Sequence, residues 1–369
     1  MIRRGRFRGE LLILLCLVCQ KIVLITVAGW GLRLVGNDLE LSRALSPWDS
    51  EHYLRLAREG YTPGEASCAF YPLLPSLISA LAPFFGGSHL AAGFALTNLA
   101  GIGAVMLFFK LIKEQYGERT STFATIALLV FPTAFFFSVI YTESVFFLEL
   151  MFVFWGIRTN QWRLAAAAAF FMPLTKAIGL FIALPLAWRW FALRATGRFG
   201  TVRENGWLLA SFSAVAGFLI CLMTFWLWTG DPFESFHAQK YFPYRPSIAN
   251  MGRIGKWGAA FLNWGTLYGA KNSIFDRSFF LLFLVSLYWI WKLDRLFFLW
   301  SLLAGLVPAL SNCFFSYTRY ILCVFPIFIL AGIIVSTSRR SWIFWYYCIL
   351  MMALQCLLMV RFLNHLWAG

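Results

Sequence analysis

Long apolar segments recur along this 369-residue chain, and they limit its possible folds more than any other feature. Hydrophobic residues make up 60% of the sequence and charged residues only 13%, whereas a soluble domain carries about a quarter charged residues. A helix of about 20 apolar residues crosses the ~30 Å hydrocarbon core of a bilayer. The sequence therefore predicts an all-α polytopic membrane protein, a single integral membrane domain over residues 1–369. The candidate spans lie at roughly 11–35, 88–112, 120–140, 144–158, 162–174, 177–193, 206–229, 277–293, 296–311, 319–337 and 341–363, or about 10–11 transmembrane helices.

Basic residues set the predicted orientation. The first apolar segment runs too long for a cleaved signal peptide and lacks a small-residue cleavage site, so we expect a retained first helix. Cytoplasmic loops are enriched in Lys and Arg, so the arginines that precede this helix predict a cytoplasmic N-terminus. They are Arg3, Arg4, Arg6 and Arg8. The later basic loops also fall inside if residues 70–87, which contain three prolines, lie along the outer interface without crossing.

This topology places ten of the 16 carboxylates outside, mostly in an outer loop at about 36–87 and another at about 230–276. The net charge of +15 is explained by cytoplasmic anchoring to anionic lipid, so no nucleic-acid partner is predicted. The eight cysteines show no metal-binding spacing, and the four histidines are scattered. No metal site or cofactor is therefore assigned, although the outer carboxylates leave binding of a divalent cation open.

One dense polar stretch, SPWDSEHYLRLAREGY at 46–61, follows the first apolar segment. Pro47 favours a turn, Asp49 or Ser50 is placed to cap a helix, and Gly60 is placed to end it. The stretch predicts an amphipathic helix on the outer membrane surface. Asp49 has two interpretations that the local sequence does not separate: a helix cap, or a catalytic carboxylate just above the membrane plane.

Three further charges are predicted at the outer ends of apolar segments. Glu143 lies in FPTAFFFSVIYTESVFF, Lys176 in MPLTKAIGL at the tip of a predicted helix pair, and Arg319 in SNCFFSYTRYILCVFP. A structural salt bridge or a snorkelling cation explains each one alone, because unpaired charges are costly in apolar surroundings. The convergence of acids and bases on one face predicts a functional site.

These residues lie in motifs that resemble the PIG-V family, the GPI mannosyltransferase 2-type proteins of the GT-C glycosyltransferase superfamily. The motifs are PWDSEHYLRLAREGY…AFYPLLP, FPTAFFFSVIYTESVFF, PLTKAIGL, TGDPFESFHAQ and YTRYILCVFPIF, and they cover about residues 46–326. The chain is short beside eukaryotic members and resembles a prokaryotic relative. Family members often carry Arg where this chain has Lys176, which keeps the charge but loses bidentate geometry.

The resemblance implies a GT-C-like helical bundle whose extracytoplasmic first loop carries interfacial helices. It implies transfer of a hexose from a polyprenyl-phosphate donor to a lipid or glycan acceptor, with inversion. Mannose is the expected sugar. The expected location is the bacterial cytoplasmic membrane, with the active site on the extracytoplasmic side. The expected partners are the donor, the acceptor and membrane lipids.

The same resemblance implies roles for individual residues. Asp49 is the expected base, and Glu143 is expected to share that role or to hold the acceptor. Lys176 and Arg319 are expected to stabilise the departing phosphate. The other substrate-binding candidates are Trp48, His52, Tyr61, Tyr141, Asp231, His237, Lys240 and Arg245.

Two alternatives stay open at this point. Charges near a membrane also mark transport pathways, so a flippase or transporter of a polyprenyl-linked lipid is the rival class. The sequence disfavours it because charges gather at one face, while the midplane holds few and no inverted repeat is apparent. The second alternative is an enzyme of the same fold that places another sugar on a cell-envelope lipid or protein.

Overall fold

A computed structural model describes residues 8–34, 46–195, 202–242, 245–269 and 273–368. Arg3, Arg4, Arg6 and residues 36–45 of the first outer loop lie outside these ranges. The described elements are helices and short 3₁₀ turns, with one isolated bridge between Thr266 and Ser273. The helices are α1 (Arg8–Leu34), α2 (Asp49–Glu59), α3 (Leu73–Leu81), α4 (His89–Leu129), α5 (Glu143–Thr159), α6 (Trp162–Thr175), α7 (Ala183–Ala195), α8 (Val202–Thr229), α9 (Glu234–His237), α10 (Ile254–Leu262), α11 (Ile274–Leu293), α12 (Arg295–Ser311), α13 (Tyr317–Tyr320), α14 (Pro326–Thr337) and α15 (Trp342–Leu363).

Six helical segments of the described chain are long and apolar enough to cross a membrane. A bent pair, Tyr317–Cys323 with Pro326–Thr337, makes a seventh if its two parts form one span broken by 74°. The six are Arg8–Gly31, His89–Leu129, Ala177–Ala195, Asn205–Thr229, Ile274–Leu293 and Trp342–Leu363. The predicted all-α membrane protein is confirmed.

The number of candidate spans is smaller than the predicted 10–11 because several apolar segments form short helices. α5, α6 and α12 lie where spans were predicted, but they contain 17, 14 and 17 residues. A straight crossing needs about 20 residues. By length and composition alone, these helices do not qualify as crossings of their own.

The predicted spans at 88–112 and 120–140 share one helical run, α4. The run is interrupted at Gly117, where φ is 83°, a backbone conformation that glycine adopts at little cost. α4 ends at Leu129, earlier than predicted, because Pro132 lacks an N–H group and disfavours helical geometry in the residue before it.

Two buried side-chain amides donate hydrogen bonds to the carbonyl group at the end of α4. Gln20 Nε2 donates to the Leu129 carbonyl at 2.7 Å, and Gln355 Nε2 donates to the same oxygen at 3.0 Å. A helix leaves its last carbonyls without partners, and no water is available in an apolar interior to replace them. These contacts join α1 and α15 to the point where the chain turns toward the site.

Residues 70–87 form α3 and a 3₁₀ turn at Ala82–Phe85. Together they make a short apolar helix, Leu73–Phe85, well below the length of a crossing. Leu74 and Ile78 are fully buried, and α3 packs against α2 and α4. This agrees with the expectation that the proline-rich segment does not cross.

α6 packs closely against α8 and against α5. A Cβ atom at Gly217 of α8 would collide with the carbonyl oxygen of Phe170 on α6. Small residues allow such close approach between helices in a membrane, where dispersion contacts replace the hydrophobic driving force. The close packing fixes the end of α6, from which Lys176 emerges.

Candidate active site

Four charged side chains from distant parts of the sequence form one chain of ion pairs. Lys176 Nζ lies 2.6 Å from Glu143 Oε1, and Arg319 Nε lies 3.3 Å from the same oxygen. Arg319 Nη1 donates to Asp49 Oδ2 at 3.0 Å. The Glu143 side chain is 1% exposed and that of Asp49 is 25% exposed. The chain of charges therefore runs from the protein interior to an accessible carboxylate, with its signs alternating.

Aromatic rings surround the two cations. The Arg319 guanidinium carbon lies 5.4 Å from the ring centroid of Phe136, 5.5 Å from that of Tyr141 and 5.7 Å from that of Tyr320. Lys176 Nζ lies 5.6 Å from the Tyr320 centroid. Ring faces attract cations and exclude water, so charges here interact more strongly than at a solvated surface.

Asp49 is the first residue of α2 but does not cap it. The N-cap residue is Trp48, and no side-chain capping bond forms there. The expectation that Asp49 or Ser50 caps this helix is therefore wrong. The Asp49 N–H instead donates to Tyr141 Oη at 3.2 Å, while its carboxylate is bonded to Arg319. Gly60 ends the helix as predicted, with φ 79° and a bond to the Leu56 carbonyl.

Glu143 is the first residue of α5. The unpaired N–H groups of a helix N-terminus favour a carboxylate there, and the two cations add to this stabilisation. Glu143 Oε2 is buried and has no hydrogen-bond partner among the described residues. The carboxylate is therefore held through Oε1, by its hydrogen bond from Lys176 and its ion pair with Arg319.

Lys176 lies where α6 ends, as the sequence predicted. Pro173 inside α6 weakens its last turn, and Lys176 has extended backbone angles, φ −152° and ψ 142°. The Thr175 hydroxyl contacts both carboxylate oxygens of the buried Glu149 at 2.9 Å. These contacts fix the direction in which the Lys176 side chain leaves the helix.

Arg319 lies on α13, after a turn with an unusual backbone. Cys313, Phe314 and Ser316 have φ of 50°, 64° and 58°, values that are strained for residues with a side chain. Such strain persists only where the surroundings impose it.

A buried carboxylate holds this turn in place. Asp276 Oδ1 accepts hydrogen bonds from the Thr318 N–H at 2.8 Å and from the Thr318 hydroxyl at 2.6 Å. Thr133 Oγ1 donates to the Thr318 carbonyl at 3.1 Å. Thr318 is thus bonded on both sides, immediately before Arg319.

A cavity of about 450 Å³ opens beside the ion pairs. Asp49, Lys176 and Arg319 form its charged end. Most other walls are apolar or aromatic, and include Phe70, Phe181, Phe236, Phe242, Ile248, Val307, Phe315 and Phe362. A cavity with a charged end and apolar walls suits an amphiphilic ligand.

Three further predicted residues line this cavity: Trp48, His52 and Tyr141. The His52 ring stacks on Phe70 with centroids 4.8 Å apart. Burial lowers the pKa of His52, while the neighbouring Asp49 charge acts in the opposite direction. His52 is therefore suited to hydrogen bonding as a neutral ring and does not serve as a third cation.

The other five predicted residues are not part of the cavity wall. Tyr61 stacks on Trp228 with centroids 5.1 Å apart, and its hydroxyl donates to the Phe70 carbonyl. Lys240 Nζ lies over the ring of Tyr241, and Arg245 is exposed. The two remaining residues, Asp231 and His237, pair with each other.

Asp231 and His237 belong to a surface cluster with Glu234. Asp231 Oδ2 lies 2.6 Å from His237 Nδ1, and the N–H of Phe233 together with His237 lowers the pKa of Asp231. The ligand atoms of all three lie within 4.8 Å of one another. Glu234 Oε1 accepts a bond from the Gly64 N–H, which ties the second outer loop to the first.

Several cavity residues were not predicted. Asn312 donates to the hydroxyl of Tyr320, and both line the cavity with Gln239 and Trp367. Tyr320 follows Arg319 directly in the motif YTRY, so its position next to a predicted cation was a usable signal. Trp367 carries no comparable signal, because only the folded chain brings it to the site.

The sequence model of the family described as "Mannosyltransferase (PIG-V)" matches residues 35–223, just over half of the chain. No curated protein matches the sequence significantly. Solved structures of the Archaeoglobus fulgidus oligosaccharyltransferase are similar at low identity. The complex with Zn and sulfate is 13% identical with a TM-score of 0.49, covering 86% of this chain and 48% of that chain.

A second similar structure is that of the archaeal oligosaccharyltransferase AglB from Archaeoglobus fulgidus in complex with an inhibitory peptide and a dolichol-phosphate. It is 13% identical with a TM-score of 0.45, covering 95% of this chain and 56% of that chain. The present chain thus spans about half the length of the solved structures that it matches.

Proposed function

Because this chain belongs to the PIG-V mannosyltransferase family, we propose that it transfers mannose from a polyprenyl-phosphate donor to a lipid or glycan acceptor. The protein is a membrane glycosyltransferase. We place the reaction on the extracytoplasmic face of a bacterial cytoplasmic membrane, because the basic loops predict the opposite side to be cytoplasmic.

The accessible carboxylate of Asp49, bonded to Arg319 at the charged end of the cavity, is the observation that carries this proposal. Inverting transfer needs a base at the acceptor hydroxyl and cations at the leaving phosphate. Asp49 takes the hydroxyl proton as the acceptor oxygen bonds to the anomeric carbon. The bond from that carbon to the phosphate oxygen breaks, and its electron pair leaves with the phosphate.

Arg319 and Lys176 stabilise the departing polyprenyl phosphate. Both line the cavity and both are paired with Glu143, so their side chains are held in place before the donor binds. Preorganised cations in a site poor in water stabilise developing negative charge without reorganisation at the moment of reaction.

Glu143 fits the role of holding these cations. It contacts both, is almost fully buried and does not line the cavity. The hypotheses that it shares the base role or binds the acceptor would require movement of the Glu143 side chain. We therefore propose Asp49 as the base and Glu143 as the residue that positions Lys176 and Arg319.

The apolar walls support a donor carried on a lipid. A sugar phosphate reaches the charged end while an isoprenoid chain remains in contact with aromatic side chains and hydrocarbon. In this proposal the leaving phosphate contacts Lys176 and Arg319 directly and no metal, so transfer is expected to continue in EDTA.

The test uses the purified full-length protein in liposomes with radiolabelled polyprenyl-phosphate mannose and a total membrane lipid extract as acceptor. We expect Asp49→Asn to lower turnover by about 10²–10⁴-fold, the usual contribution of general-base catalysis. Glu59→Gln is the matched control, since it neutralises an exposed carboxylate on the same helix. An inverted anomeric configuration in the product is expected.

Full transfer by Asp49→Asn at wild-type protein level would contradict the proposal. Movement of the labelled lipid across the bilayer without a glycosidic product would support the flippase instead. Transfer from a donor carrying another hexose, in preference to mannose, would keep the enzyme class and change the sugar.

A further inference from the structure

The segment that follows α15 folds back onto the cavity. Trp367 and Ala368 line it, and Ala368 is 3% exposed. Arg361 Nε donates to the Trp367 carbonyl at 3.0 Å, and the Leu366 N–H donates to the Arg361 carbonyl at 2.8 Å. Trp367 and Ala368 therefore form part of the cavity wall, and their segment is hydrogen-bonded to the end of α15.

Trp48 has a strained backbone next to the proposed base. Its φ is 60° and its ψ is −125°, a region that a bulky side chain rarely adopts. Backbone strain of this kind persists where the surroundings over-determine it, and it concentrates at functional sites. Because Trp48 is the N-cap of α2, its conformation sets the direction in which Asp49 enters the helix.

The surroundings that hold Trp48 come from residues 364–368. The Trp48 ring lies 6.1 Å from the rings of both His365 and Trp367, measured between centroids. The Trp367 ring in turn packs against Phe315 at 4.4 Å. Aromatic pairs at these separations add stabilisation beyond their buried area.

Tyr141, the other residue that holds the backbone of Asp49, also contacts α15. Tyr141 accepts the Asp49 N–H, and the Tyr141 ring packs against Phe362 of α15 with centroids 5.7 Å apart. Both the backbone before Asp49 and its own N–H are thus held by contacts that reach α15 or the residues after it.

We propose that residues 364–368 position the catalytic carboxylate, with Trp367 acting through Trp48 as the positioning residue for Asp49. This inference rests on the proposed role of Asp49 as base. It adds to the active site a segment that, like Arg319, lies outside residues 35–223, the part that matches the family. A misplacement of about 1 Å at a reacting group costs up to a hundredfold in rate, so a wall of this kind has a measurable effect.

The test compares Trp367→Ala with Trp367→Phe in the liposome assay with radiolabelled polyprenyl-phosphate mannose. We expect Trp367→Ala to lower turnover at saturating donor by at least about tenfold, with the donor KM within about twofold of wild type. Trp367→Phe keeps a ring between Trp48 and Phe315 and is expected to restore most of the turnover. Trp345→Ala removes an exposed tryptophan from α15, the helix before this segment, and serves as the control.

A double-mutant cycle separates positioning from general loss of structure. If Trp48 and Trp367 act as one unit, Trp48→Ala with Trp367→Ala lowers turnover no more than the larger single effect. Arg361→Leu removes the hydrogen bond to the Trp367 carbonyl without changing a residue that lines the cavity. We expect this variant to lower turnover, as Trp367→Ala does. This variant keeps the test decisive if Trp367→Ala does not accumulate in membranes.

Three outcomes would overturn the inference. The first is unchanged turnover in Trp367→Ala, and the second is additive losses of turnover in the double-mutant cycle. The third is a rise in donor KM for Trp48→Ala that Trp367→Ala does not share, because Trp48 would then bind the donor sugar directly. Failure of the proposed function looks different, because Asp49→Asn would then retain transfer whatever the tryptophan variants do.

Discussion

Asp49 and Glu143 are both carboxylates, yet their different surroundings support different proposed roles. Glu143 is almost fully buried between two cations, whereas Asp49 reaches the cavity and pairs with one. A buried carboxylate between two positive charges is held ionised and immobile, while an accessible one can receive a proton from a bound hydroxyl. The sequence predicted both residues as site candidates, and their unequal burial in the structure supports a different proposed role for each.

Lys176 gives the first prediction at the residue scale. Lys176→Ala removes a charge-assisted bond from Glu143 and a positive charge from the cavity. We expect kcat/KM for polyprenyl-phosphate mannose to fall at least about tenfold, with a lower kcat as well as a higher donor KM, because the lost charge contacts the bound phosphate and stabilises it as it leaves. Lys176→Arg should retain most activity, because charge is kept.

Lys240→Ala is the matched control for that experiment, since Lys240 lies outside the cavity wall. Donor kinetics of Lys176→Ala equal to those of Lys240→Ala would argue against phosphate binding by Lys176.

Asp276 gives the second prediction at this scale. Asp276→Ala removes both acceptor bonds to Thr318 and frees the turn that presents Arg319. We expect kcat/KM to fall at least about tenfold, together with a lower melting temperature, because buried partners lose their hydrogen bonds.

Asp276→Asn keeps an acceptor oxygen at the same place and should restore most of both quantities. If Asp276→Ala melts at a lower temperature but transfers sugar normally, Asp276 stabilises the fold without positioning Arg319.

At the scale of elements, the approach of α8 to α6 depends on Gly217. A methyl group there would overlap the Phe170 carbonyl, so Gly217→Ala forces the two helices apart. Overpacking of this kind costs about 1–3 kcal/mol. We expect a lower melting temperature in detergent and reduced turnover, because Lys176 follows α6 directly.

Gly29→Ala on α1 provides the matched control, since open space surrounds that position. Equal melting temperatures for the two alanine variants would contradict the close packing of α6 and α8.

Helices were the most predictable elements. Apolar segments at 144–158, 162–174 and 296–311 coincide with α5, α6 and α12 within a few residues. Their interpretation as separate crossings was less secure, because apolar composition does not distinguish lipid contact from burial inside a bundle. The early end of α4 followed from Pro132, a signal that the sequence did contain.

At the scale of the whole molecule, the predicted topology can be mapped chemically. Glu59→Cys lies at the end of α2 in the predicted outer loop, and Glu114→Cys lies in a predicted cytoplasmic loop; both positions are exposed. We expect a membrane-impermeant maleimide to label Glu59→Cys in intact cells and Glu114→Cys only after permeabilisation.

Unmodified protein, which retains eight native cysteines, sets the background for this labelling. The reverse pattern would place Asp49 on the cytoplasmic side and would contradict the extracytoplasmic reaction.

The sequence by itself determined the helical membrane class, the family and the four charged residues that meet at the site. It could do so because hydrocarbon imposes long apolar segments, and because charges at the ends of such segments require partners. Only the tertiary structure decided which partners they take, that Asp49 binds Arg319 without capping its helix, and that Trp367 reaches the cavity. Those outcomes depend on contacts between residues far apart in the sequence, 33 positions for Glu143 and Lys176 and 270 for Asp49 and Arg319, whose mutual distance a local pattern does not encode.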